Sequence, residues 1–458
     1  MAADRHGVGL TRRTFLTRSA WAAGGLATGT AAADRLAAGE SYGGGGRSTA
    51  PARRVVFLFM EGGPSQIDLF DPKPALATLD AAAVPSHVST GEGRGVARFV
   101  ASPFRFRSRG ESGTPVSELM PHLAGIVDEI SLVRSLYTDS PQHGLAQVVL
   151  ATAGTGSEGP SLGAWVSAAL GSGEAVPSHA VLRYGGRPAA GTALWSSGPL
   201  SPIYGGVDLG SPAGPRQIPA NLPIAEEAAD YRQKEALRAV VAEHFGDAVR
   251  DREALRFATR WTEQLRFVGP ELVDTSYESP RIHELYGSRP GEPSFAQNCL
   301  VARRLLERGA RFVQVHYRGW DHHGLEPRSG LHHGLRRAAR ETDQPIAALL
   351  RDLRQRGMLD ETLVVWAGEF GRAPWGMDPG SGRAEGREHQ PSAFTAWLAG
   401  GGLRPGVVVG ETDDTGAAIV ERPVHVSELA ATILDRLGID APIPANRQPA
   451  PAIGELIA

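Results

Sequence analysis

The chain has 458 residues, 41% of them hydrophobic and 21% charged, and a formal net charge of −3. Such a chain can bury a sizeable core as a soluble protein, and with no long run of either sign it offers neither a nucleic-acid groove nor a basic face for membranes. One cysteine, Cys299, excludes an internal disulfide, so packing must supply the stability.

The N-terminal stretch "TRRTFLTRSAWAAGGLATGTAAADRL" pairs Arg12 with Arg13, follows them with Phe15 and Leu16, and continues into a weakly apolar Ala/Gly run ending in small residues near 31–33. This reads as a twin-arginine export signal over residues 1–33, followed by a Gly/Ser-rich flexible leader over 34–53. The apolar run is too short and too weak for a stable transmembrane segment. The expectation is export through the twin-arginine machinery to the periplasm or the extracellular space.

Beyond the leader, "RRVVFLFMEGG" predicts a buried parallel strand from Val55 to Met60, closed by a glycine loop. "SLVRSLYTDSPQHGLAQVVLATAG" is an apolar lead into a polar turn and then a helical pattern. Between roughly 199 and 288, a Pro/Gly-rich connection gives way to a charged segment of helical period, which reads as a helical insertion or cap; ordinary peripheral helices are the alternative. The helical "SFAQNCLVARRLLERG" precedes the strand-like "ARFVQVHY", and "DQPIAALLRDLRQRGML" precedes "ETLVVWAGEFGR". Helix, strand, then a loop rich in Gly, His and acid is the rhythm of an α/β protein with a mainly parallel sheet. In such sheets functional groups gather beyond the carboxyl ends of the strands, where Glu61, Asp321 and Glu369 all fall.

These strand ends carry a metal-like set. Glu61 is followed by Ser65 and Asp68; "GWDHH" supplies Asp321, His322 and His323; "GEFGR" supplies Glu369 and Arg372; "GREHQP" supplies Arg387, Glu388 and His389. Carboxylates and imidazoles from several strand ends are what a divalent ion requires, zinc in the first place, with manganese or calcium also compatible with the hard ligands. In "HYRGWDHHGLEPRSGLHH", adjacent His322 and His323 point in different directions on any regular backbone, so only some of its five histidines could face one ion, and partners elsewhere in the chain must decide. Ser140 in "TDSPQH" is the candidate nucleophile, at a helix start whose free N–H groups favour an anion. The same residues also make a good helix cap, so both readings stand. Arg134 and Arg372 are candidates to steady developing negative charge.

Taken in order, "FLFMEGGPSQIDLFDPKP", "VRSLYTDSPQHG", "PSLGAWVSAALG", "ARRLLERGARFVQVHYRGWDHHG", "VVWAGEFGRAP", "GREHQPSAFTAWLAGGGLRPG", "GETDDTG" and "PVHVSELAATILDRLGID" resemble the exported bacterial proteins of the domain of unknown function 1501 family. That family resembles a branch of the alkaline phosphatase and sulfatase superfamily. The resemblance implies one alkaline-phosphatase-like α/β domain over 54–458, a central sheet flanked by helices on both faces, and a metal-dependent hydrolase of phosphate or sulfate esters acting on a small-molecule or glycan ester. It implies metal-binding roles for Glu61, Asp321, His323, Glu369 and His389, with His322 supporting them and His332 and His333 opening the next helix at the surface, and places Ser140 on the nucleophile loop. Phe370 stands where the superfamily carries a histidine, which opens the alternative of a catalytically degenerate binding or scaffold protein. Formylglycine chemistry is not expected, because Cys299 and Ser140 both lack the surrounding C/S-x-P-x-R pattern.

Overall fold

A computed structural model describes residues 50–85, 96–154, 156, 159–171, 176–212, 272–326, 328–440 and 450–457. The expected signal over 1–33, the leader up to residue 49 and the middle of the expected insertion, 213–271, lie outside the described residues.

The centre is a nine-stranded sheet. In chain order its strands are β1 (Arg54–Glu61), β2 (Ile130–Tyr137), β3 (His179–Tyr184), β4 (Val207–Asp208), β5 (Phe312–Arg318), β6 (Thr362–Ala367), β7 (Phe394–Ala399), β8 (Val408–Val409) and β9 (Val424–His425). Across the sheet the order is β8-β2-β7-β6-β1-β5-β3-β4, with β9 joining the same edge of β2 as β8. Only β7 runs antiparallel to its neighbours; every other pairing in this sheet is parallel. β1, the strand legible as "RVVFLFME", lies in the middle between β6 and β5.

Its alternation explains the layers. Val56, Leu58 and Met60 enter one core, shared with helices α3 (Phe295–Glu307) and α4 (Arg336–Gln355). Val55, Phe57 and Phe59 enter the other, shared with α1 (His143–Ala151), α2 (Leu162–Leu170) and α5 (Val426–Arg436). Because successive side chains of a strand face opposite sides, a strand apolar throughout must be covered twice, and that forces helices onto both faces. Each fully buried Leu, Val or Phe contributes roughly 1.5–3 kcal/mol. Cys299 is buried on α3 as expected.

The helix expected around "DQPIAALL" starts earlier, at Arg336, and runs through Pro345. A proline inside a helix costs about 3 kcal/mol, but Ala338, Ala339 and Thr342 are buried on the preceding turns, and the Asp343 carboxylate accepts the backbone N–H of His122 and Leu123 at 2.7 and 2.8 Å. Tertiary burial overrides the local penalty. The described flanks of the expected insertion include β4 on the sheet edge and a helix, Pro280–Tyr286, whose Ile282, Leu285 and Tyr286 pack on the first core. Among the described residues, no helix is long and apolar enough to cross a membrane.

Candidate metal centre

β1 and β5 end level with each other, Glu61 opposite Arg318. The chain then turns: the amides of Gly319 and Trp320 donate to the Glu61 carbonyl at 3.3 and 3.0 Å, which folds the loop after β5 over the end of β1. Asp321 comes to rest on Gly62. Gly62 has φ +111°, and a Cβ there would stand 2.5 Å from the Asp321 amide nitrogen, so the close approach needs glycine.

Around the Asp321 carboxylate stand three histidines from separate parts of the chain, the start of α1, the loop after β5 and the two-residue strand His389–Gln390. His143 Nε2 is 3.4 Å from Oδ2, His323 Nε2 is 3.0 Å from Oδ1, and His389 Nε2 is 3.3 Å from Oδ1. In each ring the other nitrogen is engaged by an acceptor: His143 Nδ1 donates to Glu369 Oε1 at 2.7 Å, His389 Nδ1 to the Pro141 carbonyl at 2.8 Å, and His323 Nδ1 to Glu388 Oε1 at 3.1 Å. An acceptor on Nδ1 fixes the ring and leaves Nε2, once it gives up its proton, for a ligand, the usual support of a metal-bound histidine. The candidate donor atoms of His143, Asp321 and His389 all lie within 4.8 Å of one another, and His323 Nε2 is 3.0 Å from His389 Nε2. Ligand atoms on a tetrahedral zinc ion, each about 2.0–2.1 Å from it, stand roughly 3.3 Å apart. The set has the spacing and chemistry of a His/Asp site for one divalent ion.

The electrostatics follow from this crowding. Burial would push the Asp321 carboxyl up, but hydrogen bonds from the three histidines and the Arg372 charge hold it well below the usual carboxylate range. Burial works against a charged His143, yet hydrogen bonds to Asp321 and Glu369, with their charges, raise it to about 9. His389 moves the other way, lowered by burial against the bond to Asp321, with the positive charges of Arg372, His143 and His323 adding to the effect.

The supports are buried. Arg372 is 0% exposed; its guanidinium binds Asp321 Oδ1 and the carbonyls of Gly62, Gly63 and Arg387, while its backbone N–H meets Gln66 Oε1 at 2.9 Å. It pairs across a two-residue ladder with His389, which sets that ring opposite Asp321. Arg387 forms a buried bidentate pair with Asp68, Nε to Oδ2 at 2.7 Å and Nη2 to Oδ1 at 3.1 Å, and its N–H donates to the His322 carbonyl. The loop bearing His389 is thereby tied to the short helix Gln66–Leu69 and to the loop bearing His323.

Asp321, His323 and His389 stand together, while Glu369 holds the back of His143. Glu369 is fully buried; its Oε1 also accepts from the Gly62 N–H at 2.9 Å and Gln147 Nε2 at 3.3 Å, and its Oε2 has no partner. Glu61 turns to His316, with Oε1 2.8 Å from Nδ1, rather than to the three-histidine cluster. Arg372 is spent on backbone carbonyls and Asp321, so its part is to fix the loops, not to face a substrate. Arg134 lies on β2, where its charged neighbours are Asp71 and Glu411 rather than the cluster, because its strand position falls short of the carboxyl edge. Ser140 precedes the helix it was expected to open: α1 starts at His143, its N-cap is Gln142, and Ser140 Oγ accepts the Gln142 N–H at 3.1 Å. It is followed by Pro141, whose carbonyl holds His389. His332 and His333 are exposed in the turn Leu331–Leu335 that leads into α4, as expected, and His322 is buried behind the cluster.

His143 is the residue that the motif reading passes over. It is the first residue of α1, and Gln147, one turn later on the same face, reaches the same carboxylate oxygen of Glu369. Phe370 is buried against both His143 and His389, its ring centroid 4.9 and 4.3 Å from theirs. It gives the two histidines an apolar backing. The cluster opens on a cleft of about 350 Å³ whose wall includes Glu61, His143, Asp321 and His322.

The family described as "Protein of unknown function (DUF1501)" matches residues 52–443. The chain belongs to this family. No curated protein matches the DUF1501 chain in sequence. Among solved structures it is similar to a phosphonate monoester hydrolase from Silicibacter pomeroyi (13% identity, TM-score 0.35, covering 73% of this chain and 71% of that one). It is also similar to a sulfatase from Pseudoalteromonas sp. (14%, 0.36, 88% and 70%) and to alkaline phosphatase from the Antarctic bacterium TAB5 (10%, 0.37, 86% and 99%).

Proposed function

We propose that this DUF1501 protein is an exported, metal-dependent hydrolase of phosphate or sulfate esters, with the ion held by Asp321, His143, His323 and His389. One observation carries the reading: three histidines from separate parts of the chain turn Nε2 toward one carboxylate, and each has its Nδ1 engaged by a separate acceptor. A purely structural polar cluster has no need of that common orientation. Nitrogen-rich donors favour zinc over magnesium or calcium. When bound, such an ion would act as a Lewis acid toward an ester oxygen.

The chain's own groups supply the rest. Asp321 is anchored by Arg372, so the site keeps its shape as charge develops in the cleft. Phe370 and the buried wall behind it limit access of water to His143 and His389. Ser140, one residue from the carbonyl that orients His389, is the proposed nucleophile: its Oγ would bond to phosphorus or sulfur, the ester oxygen would leave with a proton, and water would then release the phosphate or sulfate. Export rests on Arg12 and Arg13; replacing both by Lys should hold the precursor in the cytoplasm, and normal export of that variant would remove the twin-arginine route.

Turnover of 4-nitrophenyl phosphate and 4-nitrophenyl sulfate by the zinc-loaded chain tests the activity. Hydrolysis of either supports the reading. Phe370, buried where another ligand would be needed for a second ion, favours the second reading, a binding or scaffold protein that keeps one ion. Retained metal with no turnover of either ester would select it.

A further inference from the structure

The cleft beside Asp321 is lined on its outer side by three arginines that the hydrolase reading does not use: Arg318 at the end of β5, Arg328 in the following loop and Arg337 on the first turn of α4. None has a carboxylate partner within ion-pair distance among the described residues; Arg318 donates to the Arg187 carbonyl at 3.0 Å and keeps its charge unneutralised. The two carboxylates in the cleft wall are already engaged, Glu61 by His316 and Asp321 by Arg372 and the histidines. Arg328 is also one of the few non-glycine residues held at positive φ, +69°. Three unpaired guanidinium groups around one concave space attract an anion and bind phosphate or sulfate bidentately.

Taking the reacting ester group at Asp321 from the hydrolase reading, we propose that the substrate carries a second anionic group, a phosphate or sulfate, bound by Arg318, Arg328 and Arg337. The arginines set specificity and do not take part in bond breaking. A volume of about 350 Å³ accommodates a monosaccharide with two such groups.

The test is calorimetric binding to the full, zinc-loaded chain, read without turnover by working at low temperature with glucose 6-phosphate and glucose 1,6-bisphosphate. The bisphosphate should bind at least about tenfold more tightly than the monophosphate, and Arg328→Gln/Arg337→Gln should reduce that preference to within about twofold while metal content and melting temperature stay unchanged. The 6-sulfate and a disulfate of glucose, measured alongside, tell whether phosphate or sulfate is the preferred second anion. Equal affinity for mono- and dianionic sugars of both kinds, or a preference that survives the double variant, would overturn the subsite. A clear preference without turnover of any ester would leave the subsite standing and remove the hydrolase reading; turnover without preference would do the reverse.

Discussion

Glu369 accepts the Nδ1–H of His143 at 2.7 Å from inside the protein, and this bond decides which nitrogen of His143 faces Asp321. The two residues are 226 positions apart in sequence. Outer carboxylates of this kind raise the basicity of a ligating histidine and fix its ring. Glu369→Ala should therefore weaken zinc affinity about 10–100-fold without abolishing binding at saturating metal. Competition against a chromogenic chelator measures this, and an unchanged affinity would mean that Glu369 does not orient a ligand.

Gly62→Ala probes the contact that seats Asp321. The substitution puts a methyl group 2.5 Å from the Asp321 nitrogen at a φ of +111°. Either the loop after β5 lifts or the backbone of Gly62 strains, at a cost of more than about 1 kcal/mol. The melting temperature should fall and zinc content with it. A variant as stable and as metal-rich as the parent would show that the loop is not held against Gly62 in solution.

Ser140→Ala separates two roles. As a nucleophile, Ser140 should cost about a hundredfold or more in turnover of 4-nitrophenyl phosphate when removed, with little change in melting temperature. As a turn-former that only accepts the Gln142 N–H, it should cost roughly 1 kcal/mol of stability and spare the chemistry. Activity that survives in the variant would transfer the attack to water.

These tests also mark what could be read from the sequence. The position of β1 is evident because an unbroken apolar run of β-branched and aromatic residues fits only a strand covered on both faces, and Asp321 and Glu369 are recognisable because they follow such strands within three residues. His143 escapes notice because its motif, "TDSPQHG", draws attention to the hydroxyls, and nothing local reveals that the first turn of α1 lies against Glu369. The separation of Arg134 from Arg372 is hidden for a related reason: both are arginines near apolar runs, but one sits within a strand beside Asp71 and the other just past a strand's end beneath Asp321. Burial of Arg372 depends on carbonyls of Gly62, Gly63 and Arg387, which only the folded chain brings together.

Acid sensitivity should come in part from His179. Burial is the largest cause of its low pKa, about 4, in the fold, against roughly 6.5 when unfolded. Between those values the unfolded chain binds a proton that the folded chain does not, so stability that is fully present above about pH 6.5 declines as the pH falls toward about 4 and then levels off. His179→Asn, measured against the parent at about pH 7 and pH 4.5, should lose less melting temperature on acidification. An identical acid response in both proteins would exclude His179 as a contributor.

The most direct measurement is the metal content of the full chain purified without chelator, beside that of Asp321→Ala, by elemental analysis. Asp321 stands at the meeting point of His143, His323 and His389 and adds little to either core, so its loss should empty the site and leave the fold intact. The account predicts one zinc ion per parent chain, retained through dialysis, and none in a variant with an unchanged circular dichroism spectrum. A parent chain without bound metal, or equal metal in parent and variant, would contradict it.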